Sequence, residues 1–194
     1  FTIGSLPAVF CIDNQFYGSG ASTAPRIGVT TNGGTSWSGY PISVTGTFTS
    51  GVAFNNNKTN GLGISSASYP NISRTTNGGV NWTTASTGGT GTSTLNVLRW
   101  VPGTDICFLA TSLGIMMTTN NGTSFVSQTT NSITNFFDIS VQNNSGTING
   151  YAVANDGSVV KLSSPVAIDP ANTTTPTTFA LEQNYPNPFN PSTT

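Results

Sequence analysis

Apolar residues along this chain come in short runs of four to seven positions, most of them closed by Gly, Asn, Asp or Ser. Runs of this length, bounded by turn formers and enriched in β-branched and aromatic residues, predict strands rather than helices. The first set is Ala8–Asp13, Gln15–Gly18 and Arg26–Thr31; the second is Gly51–Asn55, Gly61–Ser65 and Ile72–Thr76. A third set covers Asn96–Val101, Asp105–Thr111 and Gly114–Thr119, and a fourth covers Phe136–Val141, Gly150–Asn155 and Ser158–Ser163.

At the end of the third strand of a set, one signature recurs. It reads Thr30-Thr31-Asn32-Gly33-Gly34-Thr35-Ser36-Trp37, then Thr75-Thr76-Asn77-Gly78-Gly79-Val80-Asn81-Trp82, then Thr118-Thr119-Asn120-Asn121-Gly122-Thr123-Ser124-Phe125. The starts lie 45 and 43 residues apart. A further step of 45 reaches Ser163, where Pro165, Ala167 and Pro170 take the Asn, Gly and aromatic slots. The aromatic residue would open a fourth strand, as in Trp37–Val44, whereas the last unit has only Pro165–Asp169 to serve as one. Four short strands per repeat of about 40–45 residues is the blade period of a β-propeller. The predicted class is therefore all-β, a propeller-like array of four units at about 1–44, 45–92, 93–133 and 134–164.

The signature has a mechanical purpose. Gly-Gly and Asn-Gly supply the positive φ that tight hairpin turns need. Thr and Asn side chains can hydrogen-bond the turn's own backbone. The aromatic side chain is expected to turn inward and seal the sheet edge. These residues resemble the Asp-box, or BNR repeat, with Asn in place of Asp in every copy and Phe125 in place of the third Trp. In addition, Gly150–Lys161 looks like the strand–turn–strand that precedes the box in photosystem-assembly-factor-like and sortilin-like propellers. That resemblance implies a structural role for Thr30, Asn32, Gly34, Trp37, Thr75, Asn77, Gly79, Trp82, Thr118, Asn120, Gly122 and Phe125.

Composition sharpens the picture. Thr, Ser, Asn and Gly make up 100 of 194 residues, yet 35% hydrophobic residues suffice for a core. Only 6% of residues are charged, against about 25% in a typical domain. Five basic residues and a net charge of −1 exclude the cationic footprint of nucleic-acid binding. No apolar run approaches the roughly 20 residues of a membrane span. Cys11 and Cys107 have no metal-ligand spacing. They could pair in an oxidising compartment or remain as two buried thiols. The start at Phe1, without initiator Met or signal peptide, reads as a mature or trimmed chain.

After Ser164 the composition changes. Pro165, Pro170, Pro176 and the run Thr173-Thr174-Thr175 predict an extended linker over 165–178. Residues 179–194 come next, with prolines that exclude a helix or central strand. The stretch Leu181-Glu182-Gln183-Asn184-Tyr185-Pro186-Asn187-Pro188-Phe189-Asn190-Pro191-Ser192-Thr193-Thr194 closely resembles the opening of the type A C-terminal sorting domain of the type IX secretion system. The resemblance implies export by that machinery to the outside or outer surface of a Gram-negative bacterium. Here the sequence ends before that family's β-domain.

Catalytic chemistry is scarce. Without His there is no triad base and no usual zinc ligand set. Glu182 is the sole Glu, and Asp13, Asp105, Asp138, Asp156 and Asp169 are scattered along the chain. A sialidase-like site built on Arg26, Arg74 and Arg99 lacks its Glu. An Asp13–Asp105 pair meeting across an axis would make a glycoside hydrolase, a minor alternative. Six sequons, at Asn57, Asn71, Asn81, Asn121, Asn143 and Asn172, leave room for glycans. No cofactor is expected. The reading is a non-enzymatic structural or assembly protein, a subunit of an extracellular filament or surface layer, self-associating through strand edges and the C-terminal tail. The alternative is a carbohydrate- or partner-binding propeller module, one piece of a larger secreted protein whose earlier blades precede Phe1, presenting Tyr17, Tyr40, Tyr69 and Trp100.

Overall fold

A computed structural model of the chain describes residues 8–20, 26–43, 51–65, 71–89, 93–128, 130 and 132–163. Two units divide it, Phe1–Ser164 and Pro165–Thr194, and all described residues belong to the first. Those residues form fifteen strands and no helix. The first sheet contains β1 (Ala8–Cys11), β2 (Tyr17–Gly20), β3 (Arg26–Thr30) and β4 (Ser38–Pro41). The second contains β5 (Gly51–Phe54), β6 (Gly61–Ile64), β7 (Asn71–Thr75) and β8 (Thr83–Ser86). The third has β9 (Leu95–Trp100), β10 (Cys107–Thr111), β11 (Gly114–Thr118) and β12 (Val126–Ser127). The fourth has β13 (Phe136–Asn144), β14 (Thr147–Ala154) and β15 (Val159–Ser163). In every sheet, strands adjacent in sequence pair antiparallel, so each sheet is a meander. Each sheet falls inside one predicted unit, and the expected outer strand at Pro165–Asp169 lies outside the described residues.

Strand starts moved where side chains captured the backbone first. The Asp13 carboxylate accepts the amides of Gln15 and Phe16, at 2.9 and 2.7 Å, which holds both in a turn and delays β2 to Tyr17. Thr104 does the same to Ile106 ahead of β10. The hairpin of β13 and β14 runs further than expected, because Ser145 and Gly146 adopt left-handed conformations that join strands across an Asn-rich stretch.

Three hydrophobic cores hold the unit together, and each is shared by two successive sheets. Phe10, Ile27, Val29 and Ile42 of the first sheet's region meet Val52, Phe54 and Trp82 of the second. Leu62, Ile64 and Ile72 meet Leu98, Trp100, Cys107 and Leu109 of the third. Phe108, Ala110 and Ile115 meet Phe136, Ile139, Ile148, Ala152 and Leu162 of the fourth. Among the described residues no core joins the fourth sheet to the first. Alternation explains the double use of a strand: Leu109 faces one neighbouring sheet while Phe108 and Ala110 face the other. Polar side chains add links between sheets. Arg74 Nε donates to Asn121 O at 2.6 Å, Asn96 Nδ2 to Phe136 O at 2.7 Å and Ser43 Oγ to Trp82 O at 2.7 Å.

Candidate functional site

The three recurring turns share one hydrogen-bond scheme. In the first, Thr30 Oγ1 donates to Asn32 Oδ1 at 3.0 Å and accepts Gly34 N at 2.9 Å. Asn32 Oδ1 also accepts Ser36 N at 2.9 Å. Thr75, Asn77, Gly79 and Asn81 repeat this at 3.0, 3.0 and 2.9 Å, as do Thr118, Asn120, Gly122 and Ser124 at 3.0, 2.9 and 3.0 Å. Each threonine is buried, so its hydroxyl substitutes for water on amides that would otherwise be unpaired. Positive φ at Gly33, Gly34, Gly78, Gly79, Asn121 and Gly122 completes the turns. Asparagine suits the slot because Asn32 Nδ2 and Asn120 Nδ2 also donate to Ser36 Oγ and Ser124 Oγ, which a carboxylate could not do.

The aromatic slot behaves less uniformly. Trp82 is 8% exposed, with Nε1 donating to Gly79 O at 2.8 Å and its ring edge-on to Phe54. Phe125 packs against the core between the second and third sheets. Trp37, expected to seal its sheet in the same way, is 39% exposed and meets Tyr17 edge-on at 5.5 Å. The cause is positional: Trp82 is covered by Ile42 of the preceding unit, whereas no described residues precede the first sheet.

The charged residues are dispersed. Asp13 forms an ion pair with Lys58, and that contact together with the two turn amides lowers its pKa to about 2. It is thereby committed to Lys58 and its own turn, while Asp105 sits exposed at the turn into β10. Asp138 accepts from Arg99 Nη2 at 2.9 Å. The Ser158 amide lowers the pKa of Asp156. Arg74 is engaged with Asn121 and Arg99 with Asp138, at separate places. Asp169, Glu182 and the tail positions Leu181, Asn184, Tyr185, Pro186, Asn187, Pro188, Phe189, Asn190 and Pro191 lie outside the described residues, as does Tyr69. Both cysteines are free thiols, Cys11 exposed and Cys107 buried, and burial pushes the Cys107 thiol pKa up.

Two adjoining concavities run along the first strands of the sheets. One of about 370 Å³ is lined by Val9, Val52, Asn96, Arg99, Phe137 and Asp138, contributed by β1, β5, β9 and β13. A second, about 330 Å³, shares Val9, Val52 and Arg99 and extends past Cys11 to Trp100 and Pro102. Sequence reading missed this groove, since Val9 and Phe137 look like core residues until their neighbours are known. Conversely Trp100, expected on a loop surface, is buried in the core between the second and third sheets. Tyr17 and Tyr40 are half-buried, the latter against the first core.

A meander of short strands repeated four times, with its first strands side by side around a groove, is a β-propeller array. Solved structures agree on the fold. The structure described as YCF48 bound to D1 peptide superposes with a TM-score of 0.60 over 84% of this chain and 53% of that one, at 16% identity. An ancestral GH74 enzyme gives 0.57 over 81% and 25%, at 13% identity, and U3-55K gives 0.55 over 82% and 52%, at 11% identity. The chain thus spans about half, or less, of the length of these propeller structures. No protein-family model and no curated protein matches the sequence. Among the described residues no helix is long and apolar enough to cross a membrane.

Proposed function

We propose that this chain is the propeller module of an exported, non-enzymatic surface protein whose role is assembly: a subunit of an extracellular filament or surface layer of a Gram-negative bacterium. The observation that carries this reading is the apolar surface exposed, among the described residues, on the first and fourth sheets: Val9 and Trp37 on the one, Tyr151, Val153 and Val159 on the other. Contiguous exposed apolar side chains mark association surfaces. A net charge of −1 sets little repulsion against copies of the same chain. The recurring turns are Asp-box repeats with Asn in the acidic slot, serving as scaffold. Leu181–Thr194 serves as the start of a type IX sorting signal, with the export machinery as partner. Asp13, Asp138 and Asp156 are engaged locally, which disfavours glycosidase chemistry at those three.

Sedimentation of the purified chain across a concentration series, with electron microscopy of the native material, tests the assembly role. Concentration-dependent growth supports it; a monomer throughout, with a protease-sensitive tail, overturns it. Export is tested separately by fusing 165–194 to a reporter and measuring its release in a type IX host and in a strain lacking the machinery.

A second reading is favoured by the groove along the first strands, where Arg99 and Asp138 lie beside exposed Val9 and Phe137. In this reading the module binds a partner or glycan there, as the neighbour described as bound to D1 peptide binds a peptide. Binding on peptide and glycan arrays that disappears in Arg99→Ala would favour it over assembly.

A further inference from the structure

Five of the six sequons lie among the described residues, Asn172 being outside them, and the fold treats the five differently. Asn71 stands on β7, and the hydroxyl residue of its sequon, Ser73, is fully buried. Asn81 belongs to a recurring turn, where the buried Trp82 follows it and the Thr83 hydroxyl donates to Arg74 O. Asn121 is half-buried; its Oδ1 accepts from Asn55 Nδ2 at 3.1 Å, and the Thr123 hydroxyl donates to Asn120 O at 2.9 Å. Asn143 commits both arms of its amide, Nδ2 to Pro102 O at 2.9 Å and Oδ1 to the Gly146 amide at 2.8 Å.

Asn57-Lys58-Thr59 is the exception. It forms the turn between β5 and β6, with Asn57 and Thr59 both exposed. Asn57 Oδ1 accepts the amides of Thr59 and Asn60 at 2.9 and 3.3 Å and the Thr59 hydroxyl at 2.6 Å. Two of those donors are backbone N–H groups, so the oxygen is the arm of the amide that faces the turn. Nδ2, on the other arm, makes no hydrogen bond among the described residues. The backbone beneath is held in place: Asn55 N donates to Asn60 O at 2.9 Å, Gly78 N to Thr59 O at 2.9 Å, and Lys58 pairs with Asp13. The turn thus presents a free carboxamide nitrogen, and an exposed hydroxyl two residues on, from a fixed frame.

Beside it, a cleft of about 390 Å³ is lined by Asn55, Asn56, Asn57, Gly103, Thr104 and Asp105. No apolar side chain lines it, so a group settling there meets amides, a hydroxyl and a carboxylate, which are partners for sugar hydroxyls. The second and third sheets, which carry its walls, are each packed on both sides by described neighbours.

Resting on the export reading above, we propose that Asn57 is an N-glycosylation site whose substrate is a sugar carried on a diphosphate. Asn-x-Ser/Thr with a residue other than Pro between is the acceptor pattern for this chemistry. Asn57 Nδ2 attacks the anomeric carbon of the donor. The bond from that carbon to the phosphate oxygen breaks, the diphosphate leaves with the electron pair, and the Nδ2 proton passes to a base of the transferase. The product is an N-linked sugar at the turn, its first residue beside the cleft, while Asn71, Asn81, Asn121 and Asn143 stay unmodified in the folded chain. With only 6% of residues charged, the chain gains a hydrated surface there that its side chains do not supply.

Peptide mass spectrometry of the protein recovered from its native host tests this. A sugar mass increment is expected on the peptide holding Asn57, lost in Asn57→Gln and in Thr59→Ala, kept in Thr59→Ser and kept in Asn56→Gln. Circular dichroism checks that each variant is folded, and either of the two blocking variants suffices. Secreted protein with Asn57 unmodified, or with sugar on another sequon instead, overturns the proposal and leaves the export reading standing. A chain retained in the cell overturns the export reading, and the site is then judged on purified folded protein given a soluble Asn-x-Ser/Thr glycosyltransferase and uridine diphosphate glucose. A single hexose at Asn57, with further sequons modified only after denaturation, supports the site; folded protein that takes no hexose at Asn57 overturns it.

Discussion

The hydroxyl of Thr75 lies 3.0 Å from the amide nitrogen of Gly79, four residues on, and 3.0 Å from the side-chain oxygen of Asn77. One buried oxygen therefore organises an entire turn as acceptor for the backbone and donor to the side chain that holds the next amide. Replacing Thr75 by Val keeps the shape but leaves the Gly79 amide buried without a partner. The expected cost is about 1–3 kcal/mol, read as a lower midpoint in urea denaturation with an unchanged slope. A Thr75→Ser variant, which keeps the hydroxyl, should recover most of it.

Gly122 tests packing against backbone strain. Its φ is +78°, and an added Cβ would approach Leu62 Cδ2 to 2.4 Å, in the core between the second and third sheets. Gly146 has a similarly positive φ, +93°, but open space where a Cβ would point. Gly146→Ala should cost about 1–2 kcal/mol from the left-handed conformation alone. Gly122→Ala should exceed it by roughly 1–3 kcal/mol of overpacking. Thermal unfolding of the two variants side by side gives the difference; equal shifts would refute the packing contribution.

Asp13 carries an acid-sensitive link. Its pKa, lowered to about 2 from 3.8 by Lys58 and the amides of Gln15 and Phe16, favours the charged form in the native state. A depressed native pKa contributes stability that is present above the unfolded value, and it is lost as pH falls from about 4 through about 2. Asp13→Asn should flatten this limb of the pH–stability curve and leave neutral-pH salt dependence weaker than in wild type. Chemical-shift titration of the Asp13 carboxyl should show its midpoint well below that of an ordinary aspartate.

The two thiols should separate cleanly under alkylation. Cys11 is exposed, whereas Cys107 is buried with its thiol held protonated by desolvation. Native protein treated with iodoacetamide should gain a single adduct at Cys11, and a second only in denaturant. Mass spectrometry of the peptides decides; early labelling of Cys107 would mean that the third sheet opens readily.

Much of the fold was legible because the turns declare themselves. Gly33, Gly34, Gly78, Gly79 and Gly122 sit where φ is positive, so the ends of β3, β7 and β11 fall within a residue of their predicted positions. The fourth sheet was harder to read, since its alternation passes through Asn143, Asn144 and Asn149, residues that signal loops by composition yet pair in a ladder here. Faces were harder still. Trp37 and Trp82 hold the same slot in the same signature, and Val9 and Val52 the same row of their sheets; Trp82 and Val52 are buried because the first sheet packs on them, which no local pattern reveals. Trp100 shows the converse, an aromatic residue at a strand end whose orientation no local pattern reveals. The groove beside Arg99 was invisible for the same reason, as its four walls come from four repeats.

Among the described residues each core is held jointly by two adjoining sheets, so the second and third sheets are anchored on both sides and the first and fourth on one. Stability in such a stack depends on nearest neighbours, so loss of structure propagates from its ends. Amide protons of β6 and β10 should accordingly exchange with solvent last, and those of β1 to β4 and of β15 first.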